Sequence, residues 1–301
     1  MEMHQLRYMV AVARHGNFSR AAAHCHVSQP SLSQQIQKLE EELEARLFDR
    51  RPKGAQLTAQ GEAFLPRAIR ILGEAESAMR EAAEGRGSLR GTVTLGVLPT
   101  IAPYLLPPVL AAFARKYPDV KMVIEEDTTA RLVAHALEYQ LDFVLASLPL
   151  RDERLQVREL FTEDLLVALP PGHALASQRT IRAADLEGEN LIVMKEGHCL
   201  GDQVLRFCER NDLRPQISFR SAQLETVQAL VCHGLGLALV PAMALLSQRG
   251  QAPVYRPMAT PRPERVIVAL WPKLRAPGRA AEELLRVIAA MTGKGRAVPV
   301  K

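Results

Sequence analysis

The hydrophobic pattern of this 301-residue chain changes near Thr92. Before that point apolar residues recur at helical spacing, as in HQLRYMVAVA at residues 4–13. After it, short apolar runs such as TVTLGV and DFVLAS alternate with helical segments. This alternation is typical of parallel βαβ units. The chain therefore predicts a helical N-terminal part followed by a larger α/β part, and its length is enough for more than one core.

The first 58 residues predict a helix-turn-helix. A first helix ends at Gly16, Ser19 is the expected N-cap of a short second helix, and Ser28 is the expected cap of a third with Pro30 in its first turn. One face of the third helix is apolar and the other carries Ser and Gln. These polar side chains suit base edges and phosphates when the start of such a helix enters a major groove.

The segment LFDRRPKGAQLT predicts a hairpin that turns at Pro52-Lys53-Gly54, with a basic cluster beside the turn. A basic hairpin next to a recognition helix is typical of a wing on the phosphate backbone. A Ser/Gln-rich helix alone is usually a solvated face, but helix, turn and wing together favour double-stranded DNA as the partner. The candidate DNA-binding residues are Ser28, Gln29, Pro30, Ser31, Ser33, Gln34, Lys38, Arg50, Arg51 and Lys53.

A long helical segment follows, capped by Thr58 and running to about Glu84, in which Pro66 predicts a kink or a late start. Gly85–Ser88 is the expected hinge. The predicted boundaries are 1–58 for a DNA-binding domain, 59–88 for a linker and 89–301 for an effector domain. The effector domain is expected to form lobe I from about 89–162 and 266–301 and lobe II from about 163–265. A cleft between two such lobes would present the turns at Pro99-Thr100 and Thr128-Thr129.

Composition limits the classes of function. The net charge of +5 permits an anionic partner without requiring one, since residues 1–58 carry only +2 of it. Aromatic residues at 5% argue against base-stacking platforms for single-stranded nucleic acid. No leader pattern and no apolar run of about 20 residues occurs, which predicts a cytoplasmic protein off the membrane. In a reducing compartment the four cysteines are not expected to form structural disulfides.

The chain resembles the LysR-type transcriptional regulators. The resemblance rests on AVARHGNFSRAAAHCHVSQPSLSQQIQKLEEELEARLFDR and LTAQGEAFL in the first 65 residues. Three stretches of the effector half, LPTIAPYLLP, KEGHCLGDQVLRFCER and AQLETVQALV, resemble the peroxide-sensing branch of that family. The resemblance implies a winged helix-turn-helix, a long linker helix and a two-lobed α/β effector domain like that of periplasmic binding proteins.

The resemblance also implies roles for individual residues. Cys199 would be the peroxidatic cysteine and Cys208 the resolving one. The peroxide would be held by Thr100, Thr129 and His198, and the thiolate tuned by Arg265 and Asp202. Gly201 departs from the family, where relatives often have a basic residue, so tuning of the thiol is expected to differ.

Further implications concern partners and activity. The resemblance implies a non-enzymatic activator of antioxidant genes that needs no cofactor or metal. Its partners would be double-stranded DNA, hydrogen peroxide, RNA polymerase and a thioredoxin- or glutaredoxin-type reductant. It would assemble as a homotetramer, a dimer of dimers.

The chemistry of the cysteine segment predicts a switch. Cys199 lies at the expected start of a helix beside His198, which favours a thiolate at neutral pH. Peroxide would convert this thiolate to a sulfenic acid that condenses with a second thiol. If the segment is helical, nine residues separate the two α-carbons by about 13 Å, whereas a disulfide tolerates about 7 Å. The helix would have to unwind, moving Leu205 and Phe207, which are expected to be buried.

Other interpretations of these residues remain open. Cys199 and Cys208 are also compatible with small apolar core residues, and Cys25 and Cys232 are interpreted as packing residues. A zinc site from His198, Cys199, Cys208 and His233 lacks the short paired spacing of structural sites. Thr100 and Thr129 are equally compatible with helix caps. The alternative functions are a LysR-type regulator that responds to a small metabolite in the interlobe cleft, with inert cysteines, and a thiol peroxidase.

Overall fold

The computed structural model describes residues 1–51, 54–84, 89–150, 152–247 and 252–293. It has two compact units, Met1–Gly85 and Arg86–Lys301. Across the described residues, every helix is either too short or too polar to span a bilayer. The combination of an N-terminal helical unit with an α/β unit confirms the predicted fold class.

The N-terminal unit is a three-helix cluster with a hairpin and one long helix. Its elements are α1 (Met3–His15), α2 (Phe18–His24), α3 (Gln29–Glu42), β1 (Phe48–Arg51), β2 (Gly54–Leu57) and α4 (Ala59–Glu84). The core forms where the apolar faces of the helices meet, and Met9, Leu32 and Ile36 are completely buried in it. This burial fixes α3 so that its polar face points away from the core.

The helix termini show why the chain turns where it does. Gly16 ends α1 with a φ of 60°, a left-handed conformation that favours glycine. Ser28 caps α3 by accepting a hydrogen bond from the Ser31 backbone at 3.3 Å, as predicted. The prediction of Ser19 as the cap of α2 was wrong, because the side chain of Asn17 accepts from the Ser19 and Arg20 backbones instead.

The long helix begins directly after the hairpin. Thr58 Oγ1 accepts from the Gly61 backbone at 3.0 Å, which is the predicted cap. Pro66 lies inside α4, so a late start of the helix was wrong. Proline has no backbone N–H. It is tolerated in the first turn of a helix, where that N–H has no partner, but Pro66 lies beyond the first turn and removes one backbone hydrogen bond from α4. The expected hinge at 85–88 lies outside the described residues.

The second unit alternates strands and helices. Its elements are β3 (Gly91–Val97), α5 (Ala102–Lys116), β4 (Val120–Glu126), α6 (Thr129–Leu137), β5 (Phe143–Ser147), β6 (Leu155–Leu169), β7 (Asn190–Met194), α7 (Cys199–Arg210), β8 (Gln216–Ser221), α8 (Leu224–Cys232), β9 (Ala238–Pro241), β10 (Val254–Arg256), β11 (Glu264–Pro272) and α9 (Arg279–Thr292). Short 3₁₀ helices span Ala174–Ser177, Ala183–Leu186 and Ala242–Ser247. The sequence predicted neither these helices nor β10.

The sheet shows how the two lobes share their strands. One path runs β10-β6-β11-β5-β3-β4, with β9 paired to β6, and β7 pairs with β8 separately. The first part of β6 pairs with β11, while its last residues pair with β9 and β10. The predicted changes of lobe at 162/163 and 265/266 therefore fall within β6 and β11. The sequence predicted β6 only from Asp164 onward, because residues 155–164 are partly exposed and lack a continuous apolar run.

Candidate functional site

The cysteine segment follows β7 through a tight turn. Gly197 has a φ of +87°, which favours glycine, and His198 is the N-cap residue of α7. The Gly201 backbone donates to the His198 carbonyl at 2.9 Å, closing the first turn. Cys199 is thereby fixed as the first residue of α7, as the sequence predicted.

Gly201 allows the start of α7 to pack directly on the end of β7. A Cβ at this position would lie 2.6 Å from the Met194 carbonyl oxygen, far inside normal contact. The residue is buried. The departure at Gly201 therefore has a packing role in this chain. A basic side chain could not be introduced here to test its charge alone, because the helix start would have to shift.

Cys199 lies between a cation and a hydroxyl, yet burial dominates its electrostatics. Burial raises the pKa of the Cys199 thiol above its ordinary value, while the Arg265 charge, the Thr129 hydroxyl and the Leu200 backbone N–H lower it less strongly. Burial therefore opposes the thiolate that the sequence predicts, and a thiolate populated at neutral pH stays a prediction. The start of α7 and the Arg265 charge favour a charged sulfur, and burial, the largest effect on the pKa of this thiol, opposes them.

Asp202 acts against the thiolate. It is exposed in the first turn of α7, and its negative charge raises the pKa of Cys199. Of the two predicted tuning residues, Arg265 thus favours the charged sulfur and Asp202 disfavours it.

Arg265 is held in a closed network. Its Nε donates to Glu163 Oε1 at 2.6 Å, Nη1 donates to Thr100 Oγ1 at 3.1 Å and Nη2 to the Thr100 carbonyl at 3.1 Å. Glu163 also accepts from the Met243 backbone at 2.9 Å. The side chains of Arg265 and Glu163 are fully buried. Every interaction of Arg265 in this network fixes the orientation of its charge next to Cys199.

Neither predicted threonine caps a helix. The N-cap residues of α5 and α6 are Ile101 and Thr128, and neither makes a side-chain cap hydrogen bond. Thr100 instead accepts from Arg265. Thr129 Oγ1 is buried and faces Cys199 closely enough to lower the pKa of the thiol, but no described residue meets it at full hydrogen-bond geometry. Capping therefore does not explain either residue.

The structure brings four of the predicted residues to one place: Cys199, Thr129, Arg265 and Thr100. His198 is adjacent in sequence and half-buried, and its side chain makes no hydrogen bond or ion pair with the other described residues. The sequence missed Glu163, which orients Arg265. The one available signal was a pair of acids, Glu163-Asp164, next to a run of apolar strand residues.

Cys208 lies on the same helix and in the core. It is 4% exposed, and burial raises the pKa of its thiol. Both cysteines are free thiols, and nine residues of helix at about 1.5 Å each place their α-carbons on the order of 13 Å apart. The predicted helical segment is confirmed. Leu205 and Phe207 are half-buried, so the prediction that they are buried was wrong; the helix turns them toward its margin rather than its core face.

The other two cysteines are also half-buried free thiols. Cys25 is the C-cap residue of α2 and packs on the N-terminal core, and Cys232 ends α8. Burial raises the pKa of both thiols. Within the described parts of the chain, no group of three or more potential metal ligands comes together.

The predicted DNA-binding residues form the exposed start of α3 and part of the hairpin. Ser28, Gln29, Pro30, Ser31, Gln34 and Lys38 are exposed, and Ser33 is half-buried. Arg50 and Arg51 lie in β1, opposite Ala55 and Gly54 of β2. Lys53 lies outside the described residues. The face of α3 opposite the core is thus free to meet a partner.

Both units match known families. Residues 3–62 match the bacterial regulatory helix-turn-helix protein, lysR family, and residues 86–292 match the LysR substrate binding domain. The chain is 35% identical over 268 residues to the DNA-binding transcriptional dual regulator OxyR of Escherichia coli strain K12. This match covers 89% of this chain and 88% of that protein. It is 38% identical over 264 residues to a probable hydrogen peroxide-inducible genes activator of Mycobacterium avium, covering 87% of this chain and 85% of that protein.

The fold is similar to that of a solved relative as well. A full-length OxyR variant from Pseudomonas aeruginosa has a TM-score of 0.79 and 31% sequence identity, and the match covers 96% of this chain and 94% of that chain. The likeness extends across both units rather than one of them.

Proposed function

The chain belongs to the LysR family of transcriptional regulators, and we propose that it senses hydrogen peroxide through Cys199 and converts the signal into a disulfide with Cys208. The observation that carries the proposal is the arrangement around Cys199. A half-buried thiol, an oriented guanidinium and an unsatisfied hydroxyl converge there. Relatives named as hydrogen peroxide-inducible genes activators add support.

The groups around Cys199 suit a small, uncharged oxidant. Peroxide needs donors and acceptors at both oxygens, and Thr129, Thr100 and His198 supply hydroxyl and imidazole groups. Thr129 Oγ1 has a hydrogen bond still to make. Charge that develops on the sulfur and on the leaving oxygen is stabilised by Arg265, which is already fixed in place and needs no reorganisation.

The reaction proceeds in two steps. The Cys199 sulfur attacks one peroxide oxygen, the O–O bond breaks, and the thiol proton leaves with the second oxygen as water. The resulting sulfenic acid condenses with the Cys208 thiol, forming the S–S bond and releasing a second water. Two thiols are thereby oxidised and one peroxide is reduced to two waters. A thioredoxin- or glutaredoxin-type dithiol would reverse the change.

The second step requires a change of fold. Thiols on one continuous helix at about 13 Å between α-carbons cannot form a bond that tolerates about 7 Å. Part of α7 must unwind, and Cys208 must leave the core. Oxidation would thus change the structure of the effector unit. This change would alter the binding of DNA by α3 and the hairpin.

The remaining partners follow the same proposal. The exposed start of α3 binds double-stranded DNA, and the bound protein contacts RNA polymerase to activate antioxidant genes. The protein acts in the cytoplasm as a homotetramer, a dimer of dimers. It is a regulator rather than an enzyme, since each subunit is oxidised once and then waits for reduction.

The test compares full-length wild-type protein with Cys199→Ser and Cys208→Ser. After peroxide, the wild type should lose two thiols per subunit and lose hydrogen-exchange protection in residues 199–210. Cys208→Ser should stop at a sulfenic acid with α7 intact, and Cys199→Ser should not react. Promoter activation by peroxide in Cys199→Ser would contradict the proposal and favour a metabolite-responsive regulator. Sustained peroxide turnover with a thiol donor would favour a thiol peroxidase.

A further inference from the structure

A cavity of about 390 Å³ lies beside α7. We refer to it as the α7 pocket. Its apolar walls are Leu148, Pro149, Leu165, Phe207, Pro261 and Pro263. None of Cys199, Thr100, Thr129 and His198 lines it. The volume is at the lower end of the range for small-molecule sites, which suits a ligand with one ring or a short chain.

The cations of the α7 pocket set the charge of its ligand. Arg206 and Arg210 line it from α7, both are exposed, and neither forms an ion pair with another described residue. At a spacing of four residues they stand about 6 Å apart on one helix face. Arg262 lines the pocket from the strand side and forms an ion pair with Asp164 at a long separation of 3.7 Å. The charged residues that line the pocket are these three arginines and one acid, Glu264.

The polar wall of the pocket connects α7 to the rest of the unit. Gln203 Nε2 donates to Ser147 Oγ at 2.8 Å and to the Leu148 carbonyl at 2.5 Å, which ties α7 to the end of β5. Gln203 Oε1 is buried with no hydrogen-bond partner among the described residues. An unsatisfied buried acceptor at a pocket wall is costly, and a ligand or its ordered water would relieve it.

We propose that the α7 pocket binds a small organic anion, a carboxylate on an apolar body. The carboxylate lies between Arg206 and Arg210, whose forked donors match its two oxygens. The apolar body packs against Phe207 and the prolines. Arg206 and Arg210 form no ion pair with another described residue and lie beside an apolar wall, so an anion with an apolar body would pair with both groups.

This ligand also regulates the peroxide response, a step that rests on the proposed function. Gln203, Arg206, Phe207 and Arg210 hold their places only while α7 is helical. Disulfide formation between Cys199 and Cys208 unwinds that helix, so the ligand binds the reduced fold more tightly than the oxidised one. A ligand with different affinities for two states shifts the balance between them. The bound anion therefore opposes disulfide formation.

Binding is tested with 3-phenylpropanoate by titration calorimetry on the reduced full-length protein. We expect saturable binding, and a Kd about tenfold or more weaker in Arg206→Gln/Arg210→Gln because charge-assisted hydrogen bonds are lost. The uncharged 3-phenylpropanamide should bind weaker by a similar factor. Arg179→Gln, an exposed arginine outside the pocket, should bind like the wild type. Equal affinity for the amide, equal affinity in the double variant, or no saturable binding would overturn the site.

Two features keep the binding test interpretable. Both substituted arginines are exposed, so thermal unfolding should show an intact fold, and each single variant should lose part of the affinity. Binding is also read in Cys199→Ser without peroxide. If the proposal of peroxide sensing is wrong, anion binding to Cys199→Ser can still be measured. If the anion does not bind, the peroxide test of the wild-type protein is unaffected.

The effect of the ligand on the peroxide response is tested by measuring the rates of sulfenic acid formation and of disulfide formation separately. With saturating 3-phenylpropanoate, formation of the Cys199–Cys208 disulfide after peroxide should slow, because the ligand stabilises the helical state of α7 that must unwind first. The rate at which Cys199 becomes reactive to a sulfenic acid probe should not change, because the first step needs no unwinding. An unchanged rate of disulfide formation with the pocket filled would overturn the regulatory step.

Discussion

Arg265 Nε lies 2.6 Å from Glu163 Oε1, and both side chains are fully buried. The two residues are directly opposite each other in the register of β11 and β6, the strands shared by the two lobes. Removing two charges from water is costly, and the cost is offset only when their hydrogen bonds are complete. Here Thr100 and the Met243 backbone complete them. The pair therefore fixes the cation beside Cys199 at the junction of the lobes.

Glu163→Gln should destabilise the effector unit by about 3 kcal/mol, because it leaves the Arg265 charge buried without its counterion. Urea unfolding of the reduced protein measures the change. Glu159→Gln, an exposed acid on the same strand, is the control and should unfold at nearly the wild-type midpoint. Equal midpoints for the two variants would show that the buried pair contributes nothing beyond a surface acid.

Thr129→Val should raise the pKa of Cys199 further, because the Thr129 hydroxyl is one of the groups that lower it. Alkylation by iodoacetamide across a pH series reports the pKa, and the variant should react more slowly at every pH below it. Reaction with peroxide should slow as well if the hydroxyl also holds the oxidant. Thr128→Val is the matched control, since the neighbouring hydroxyl caps no helix. A pH profile of Thr129→Val identical to that of Thr128→Val would exclude the role.

The architecture was predictable because the spacing of apolar residues changes from helical to strand-like near Thr92. Glycine and proline marked some of the helix ends, as at Gly16 and Pro30. The first half of β6 was missed because partly exposed residues interrupt its apolar pattern. The cap of α2 was predicted at the wrong residue, because Ser and Asn both cap helices and only the backbone geometry distinguishes Ser19 from Asn17.

The sequence named residues that lie together in the structure, Cys199, Thr129, Thr100 and Arg265, but it did not indicate how burial acts on the thiol. Local sequence identified Cys199 at a helix start, which alone would lower its pKa. The opposing effect, burial, depends on strands and helices far away in sequence and has no local signature. Glu163 was missed for the same reason, since it meets Arg265 only through the register of two strands about a hundred residues apart.

Gly201→Ala should destabilise the reduced protein by about 1 to 3 kcal/mol, since the added Cβ would lie 2.6 Å from the Met194 carbonyl oxygen and α7 must shift. Thermal or urea unfolding gives the change. Gly278→Ala is the control, because a Cβ there meets no atom within 4 Å and the backbone is not left-handed. If Gly201→Ala unfolds like the control, the start of α7 is not held against β7.

Stability should fall at alkaline pH, and Cys199 should account for part of the fall. Its pKa is higher in the folded chain than in the unfolded one. Above about pH 8.5 the unfolded chain loses a proton that the folded chain keeps, so the free energy of unfolding decreases as pH rises, by at most about 1.4 kcal/mol per pH unit for this group. Cys199→Ser removes this titrating thiol, so the free energy of unfolding of the variant should fall less steeply above about pH 8.5. Parallel plots for the two proteins would contradict the raised pKa.

Lys38→Ala should weaken DNA binding at the exposed face of α3. A lysine that contacts a phosphate releases about one counterion, so the slope of log K against log salt should fall by about 1 in magnitude. The loss should be similar for specific and random duplexes, because a phosphate contact carries no sequence information. Lys121→Ala, an exposed lysine on β4 of the effector unit, is the control. An unchanged slope in Lys38→Ala, matching that control, would place this end of α3 away from the DNA backbone.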